Sequence, residues 1–210
     1  QWADYLQKLG IGAVLINPPL ESDSHGYDTR SLRQYRPPPG RGCRFCRRMR
    51  DAARPWHPRG ARCRLQPCGP VAFWAFRDVQ ERKWDSPYKD WFHISFDGDS
   101  CYGDGFWYEG WEGHFELVKL NLQNPAVVDY LLESVRRWAE VFGVDGLRLD
   151  VAYMLDRDFM RRLHAFTREL KPDFVLIGET LHGDYNQIVN DEMLDSCTNY
   201  ECYKGLYSSF

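Results

Sequence analysis

At 210 residues, with a hydrophobic fraction of 43%, the chain is long and apolar enough to bury one or two ordinary cores, which excludes a peptide and a disordered tail. Its formal net charge of −3 supplies no overall field to recruit nucleic acid or a membrane surface, and no apolar run approaches the roughly 18 residues that a spanning helix needs. The opening QWADYLQKLG has neither an initiator Met nor a basic-then-apolar leader, so the expectation is a cytoplasmic chain that begins inside a longer protein.

In chain order, residues 12–18 (GAVLINP) form a short apolar run ending in Pro, which predicts a buried strand and then a loop, ESDSHGYDT. Residues 36–70 break the pattern and are treated below. Aromatic residues make up 15% of the chain, and they are densest over residues 73–115. Such rings can stack on the apolar face of a sugar, yet for any single Trp an ordinary core role is the commoner use. From Asn124 the periodicity is clean: Asn124 can cap, Pro125 suits the first helical turn, and Val128, Leu131, Val135, Trp138 and Phe142 recur at helical spacing until Gly143. A strand follows at 144–150 (VDGLRLD). A second amphipathic helix then carries Phe159, Leu163, Phe166 and Leu170 on one face and stops at Lys171-Pro172, before a strand at 174–179 (FVLIGE). Helix, strand, helix, strand is the order of parallel β/α units.

Both strands end in a carboxylate, Asp150 and Glu179, where the chain leaves the sheet, and in a β/α barrel that rim carries the active site. Acids on neighbouring strand ends can lie about 5 to 5.5 Å apart, the separation at which a retaining glycosidase uses one as nucleophile and the other as acid/base. The alternative is that both are loop-edge acids held in salt bridges or helix caps.

The segments GLRLDVAY (146–153) and IGET (177–180) resemble two signature regions of the α-amylase family, glycoside hydrolase family 13. Further resemblances follow in the same order: NPPLESDSHGYDT to the loop after the family's second strand, DSPYKDWFHI to its inserted domain B, and LVKLNLQNPAV to the approach to its third helix. The flavour is nearest to neopullulanases and cyclomaltodextrinases. The resemblance implies a partial TIM (β/α)8 barrel, an α/β fold with an inserted domain B, truncated at both ends. It also implies hydrolysis of α-glucosidic bonds in maltodextrin or starch-type glucans. Carried over by position, Asp150 resembles the nucleophile, Glu179 the acid/base, and Arg148 the arginine that keeps the nucleophile ionised. Tyr27 resembles the ring that stacks on the sugar being cleaved, with Asp28 beside it. Ala152 and Tyr153 stand where the family lines its leaving-group side, while Met154 replaces a residue that is more usually charged. For His182, just past Glu179, substrate contact and a hydrogen-bonded structural role both remain open.

Between Arg36 and Pro70 the chain is dense in Arg, Pro and Cys, with Asp51 the only acid, where the family should supply a helix, its third strand and the signature D-x-V-x-N-H. Read one base later, with CGN for Arg and CTN for Leu, the stretch 56–70 permits GIRVVLDAVFNHVGR, which contains that signature. Two compensating frameshifts are therefore the favoured reading of residues 37–71. The rival is a zinc or nucleic-acid module in which Cys43-x2-Cys46 and Cys63-x4-Cys68 pair around a metal. A chain translated as written is expected to lack one central strand and to expose sheet edges.

The expected organisation is barrel over 1–72, a domain B-like insertion over 73–118, and a barrel segment carrying strands 4 and 5 over 119–210. The expected partner is an α-glucan or maltooligosaccharide substrate, with no nucleic acid and no membrane. No cofactor is expected; calcium is used in parts of the family, and no carboxylate cluster identifies a site for it or for another metal. The oligomeric state is open. A non-catalytic sugar-binding barrel is the alternative that keeps the fold.

Overall fold

The computed structural model describes residues 2–15, 20–22, 29–35, 61–65, 68–70 and 73–209. The chain begins with helix α1 (Trp2–Lys8) and strands β1 (Val14–Leu15), β2 (Leu20–Ser22), β3 (Thr29–Tyr35), β4 (Ala61–Leu65) and β5 (Cys68–Pro70). Helix α2 (Trp74–Arg82) follows, then strands β6 (Ile94–Ser95), β7 (Trp107–Tyr108), β8 (Gly110–Trp111) and β9 (His114–Lys119). The C-terminal half alternates α3 (Pro125–Phe142), β10 (Gly146–Leu149), α4 (Arg157–Leu170), β11 (Val175–Gly178), β12 (Ser196–Cys197) and α5 (Tyr200–Ser208). These elements fall into two units. One comprises Gln1–Asn17, Pro37–Leu65 and Val135–Phe210, and the other Pro18–Arg36 and Gln66–Ser134.

The first unit is a five-stranded sheet in the order β1-β4-β10-β11-β12, parallel throughout. Among the described residues it is open, with β1 and β12 at its edges. The parallel β/α reading of the sequence is therefore what the C-terminal half adopts. Asn124 accepts the Ala126 amide at 2.9 Å ahead of α3, and Gly143 ends that helix at a positive φ of 69°, a conformation that costs glycine little. Asp156 caps α4 by accepting the Phe159 amide at 2.8 Å. Phe159, Met160 and Leu163 of α4 are buried with Leu147, Leu149 and Leu176 of the sheet. Phe166, expected on the same apolar face, is only half-buried, and the Arg136 guanidinium lies 4.9 Å over its ring.

One expectation is overturned. The Arg- and Cys-rich segment does not cost the sheet a strand, because β4 lies between β1 and β10 and pairs with both. The ladder is built by backbone N–H and C=O groups, which ARCRL supplies at every position because it contains no proline. Strands in the middle of a parallel sheet usually read as apolar runs, and the charged composition concealed this one. β4 also coincides with LDAVF in the shifted reading. Residues 37–60, with Cys43 and Cys46, lie outside the described residues, so the zinc alternative and most of the frameshift reading fall there.

In the second unit β5, β9 and β8 form an antiparallel sheet, β6 pairs with β7, and β2 with β3. Its core is aromatic: Phe76 makes edge contacts with Tyr108 at 4.8 Å and Phe92 at 5.2 Å, and all three rings are buried. Much of the aromatic run thus builds a core. No described helix is long and apolar enough to cross a membrane.

Candidate active site

The site is set by register. β10 and β11 pair through Gly146↔Val175, Leu147↔Leu176, Arg148↔Ile177 and Leu149↔Gly178, and the Glu179 amide donates to the Leu149 carbonyl at 2.8 Å. The next residue on each strand is the acid, so Asp150 and Glu179 leave the sheet side by side. Arg148 joins them. Its Nη1 lies 2.5 Å from Asp150 Oδ1 and its Nη2 2.5 Å from Glu179 Oε1. The planar guanidinium suits this task, since its donors project in a fixed fork and can serve two acceptors at once. Asp150 is 2% exposed, whereas the Glu179 side chain retains 18% exposure.

The chain turns sharply beyond Asp150. Val151 adopts the left-handed conformation at φ 49° and ψ 42°, which is costly for a β-branched residue and marks a strained turn. The turn aims two amides at Glu179: Ala152 N–H donates to its carbonyl at 2.9 Å, and Val151 N–H approaches Oε2 at 3.4 Å. Gly178 makes room for this arrangement. A Cβ placed there would stand 2.8 Å from Ala152 Cβ and 2.6 Å from Leu194 Cδ1.

The other site candidates are spread out. Ala152 is fully buried and packs at Gly178. Tyr153 and Met154 are exposed beside it, and His182 is exposed on the loop after β11. Tyr27 and Asp28 lie outside the described residues.

One neighbour was missed in the sequence. Tyr200, the first residue of α5, donates its hydroxyl to Glu179 Oε1 at 3.1 Å. The available signal was a third strand end: Ser196–Cys197 is a short strand, Asn199 caps the following helix, and an aromatic at the first helical position stands on the same rim.

Residues 1–207 match the family "Alpha amylase, catalytic domain". The chain belongs to the α-amylase family. Neopullulanase 2 of Thermoactinomyces vulgaris is 36% identical over 201 residues, covering 93% of this chain and 33% of that protein. The maltogenic α-amylase of Bacillus acidopullulyticus is 31% identical, covering 99% of this chain and 35% of that protein. Among solved structures, a debranching enzyme from Nostoc punctiforme superposes with a TM-score of 0.80 at 33% identity, covering 94% of this chain and 41% of that one. This α-amylase family chain therefore spans about a third of the length of the curated relatives it matches. Family and structural likeness together make its open parallel sheet part of a (β/α)8 barrel.

Proposed function

We propose that these residues form part of a retaining glycoside hydrolase that cleaves α-glucosidic bonds of maltodextrin- and starch-type glucans. The observation that carries the reading is the single guanidinium of Arg148 joined to two carboxylates at adjoining strand ends. A scaffold acid needs one partner; two acids drawn to one point on the C-terminal rim of a barrel sheet form the pair that acetal chemistry requires. Relatives named neopullulanase, maltogenic α-amylase and cyclomaltodextrinase support the choice of glucan.

In this reading Glu179 gives a proton to the glycosidic oxygen while the Asp150 carboxylate attacks the anomeric carbon. The C–O bond to the leaving sugar breaks, and a glycosyl ester forms on Asp150. Water, deprotonated by Glu179, then attacks the same carbon from the opposite side and releases the sugar with its original configuration. Side chains alone carry these steps. The inserted domain B is assigned to residues 73–118, and Tyr27 and Asp28 are assigned to substrate binding on their resemblance to family positions alone.

The 210-residue chain by itself is expected to show no turnover, and the whole polypeptide with the reading frame restored over 37–71 to be active. Reducing-end assays on maltodextrin check both. Turnover by the short chain contradicts the first expectation. For the active polypeptide, a 5-fluoroglycosyl fluoride should trap a glycosyl ester on the peptide that contains Asp150; labelling of another peptide overturns the assignment.

A further inference from the structure

We infer that Tyr200 is a positioning residue for Glu179, holding Oε1 so that Oε2 carries the proton given to the leaving oxygen; this rests on the functional reading above. The backbone delivers Tyr200 to the site without help from its own side chain. Two residues earlier, Thr198 N–H donates to the Gly178 carbonyl at 2.9 Å. The Thr198 hydroxyl accepts from the Thr180 amide at 3.0 Å and donates to the Thr180 carbonyl at 3.2 Å. These bonds bracket Glu179 on both sides in sequence and fasten the start of α5 to the end of β11. Asn199 then caps α5 by accepting the Cys202 amide at 3.1 Å, which fixes the direction in which the first helical residue leaves. The Tyr200 hydroxyl reaches Glu179 from that anchored position.

The two carboxylate oxygens are consequently unequal. Oε1 accepts from Arg148 Nη2 and from Tyr200, whereas among the described residues Oε2 has only the 3.4 Å approach of the Val151 amide, too long for a strong bond. An oxygen already accepting two donors is poorly placed to hold a proton of its own, because a third hydrogen would face the other two. The transferable proton therefore resides on Oε2. As the glycosidic C–O bond breaks, the Oε2–H bond passes its proton to the leaving oxygen, and the electron pair left on Oε2 later takes a proton from the attacking water. Oε1 stays clamped throughout, which keeps Oε2 aimed at the acetal oxygen through both half-reactions.

The test uses Tyr200→Phe in the whole polypeptide, with two donors that differ in their need for an acid. Maltotriose has a poor leaving group and depends on Glu179; α-maltosyl fluoride expels fluoride with little help. Correct placement of a general acid is worth roughly 100- to 10,000-fold, so partial loss of that placement is expected to lower kcat/KM for maltotriose on the order of tenfold. The fluoride is expected to change less than about threefold, since acid assistance contributes little to its departure. Equal losses on both donors, or no loss on either, would overturn the inference, because a packing role or a sugar contact does not distinguish leaving groups. A parent polypeptide that turns over neither donor overturns the functional reading itself, with Tyr200 intact.

Discussion

The amide of Glu179 donates to the carbonyl of Leu149 at 2.8 Å, one step beyond the last paired residues of their two strands. This bond continues the parallel ladder by one rung and leaves both acids at the same level of the rim. Side-chain alternation puts Arg148, two residues before Asp150, on the same face of its strand. The ladder register therefore places the two carboxylates and their shared cation within one arm's reach. No loop has to move to assemble them.

Arg148→Lys is expected to separate charge from geometry. A lysine retains one positive charge but presents a compact ammonium in place of a fork, so it can pair with one acid and not bridge both. Stability should fall only modestly, while activity of the whole polypeptide should drop by on the order of a hundredfold, the scale of one misaligned catalytic group. Arg148→Met should also destabilise the fold by about 3 kcal/mol, since Asp150 is buried and loses its cationic partner. Urea unfolding and kcat/KM read the two effects separately. Equal activity in the lysine variant would remove the bridging role.

Gly178→Ala is expected to cost about 1–3 kcal/mol by overpacking. The added methyl would lie 2.6 Å from Leu194 Cδ1 and 2.8 Å from Ala152 Cβ. The leucine tip can turn away, but the Ala152 carbon is fixed to the strained turn beside Asp150 and cannot. Relief therefore has to come from spreading β11 away from that turn, and activity should fall with stability. A thermal midpoint within a degree of the parent would show that the turn yields freely.

Much of the C-terminal half was legible because its signals are local. Asn124 with Pro125, Gly143 and Lys171-Pro172 mark helix ends through backbone rules that need no tertiary context, and the strand-end acids stood out between them. β4 was not legible. Its pairing uses only backbone groups, so the cysteines and arginines that carry its sequence signal say nothing about the ladder. Tyr200 was missed for a different reason: its contact with Glu179 depends on the Thr198 and Thr180 bonds, a juxtaposition between strands that spacing along one segment does not reveal.

Asp156→Ala is expected to destabilise the fold by about 1 kcal/mol, the usual worth of a helix cap, and Asp156→Asn by much less because it keeps an acceptor oxygen. The Asp156 carboxylate accepts the Phe159 amide at the start of α4, whose buried face includes Phe159, Met160 and Leu163. A cap lost there frays the turn that places Phe159. Urea midpoints of the three proteins check the order; an alanine variant equal to the parent would mean that another group satisfies the amide.

Tyr108 is expected to make the second unit sensitive to alkali. Its ring is buried, and burial, followed by the Asp104 carboxylate, pushes its phenol well above the ordinary tyrosine range. The folded state thus favours the neutral hydroxyl, which also donates to the Phe115 carbonyl at 3.1 Å. In the unfolded chain the same group ionises near pH ~10. The stability that Tyr108 contributes is therefore whole below about pH 10 and is lost progressively as pH rises above it towards the folded value. One such group changes stability by about 1.4 kcal/mol per pH unit across that window. Tyr108→Phe removes the ionisation and should flatten the decline of the unfolding free energy read from urea titrations above pH ~10 by that amount, while costing roughly 1 kcal/mol at neutral pH for the lost hydrogen bond. Parallel curves for the two proteins through the alkaline range would show that Tyr108 ionises in the folded unit as readily as in the unfolded chain.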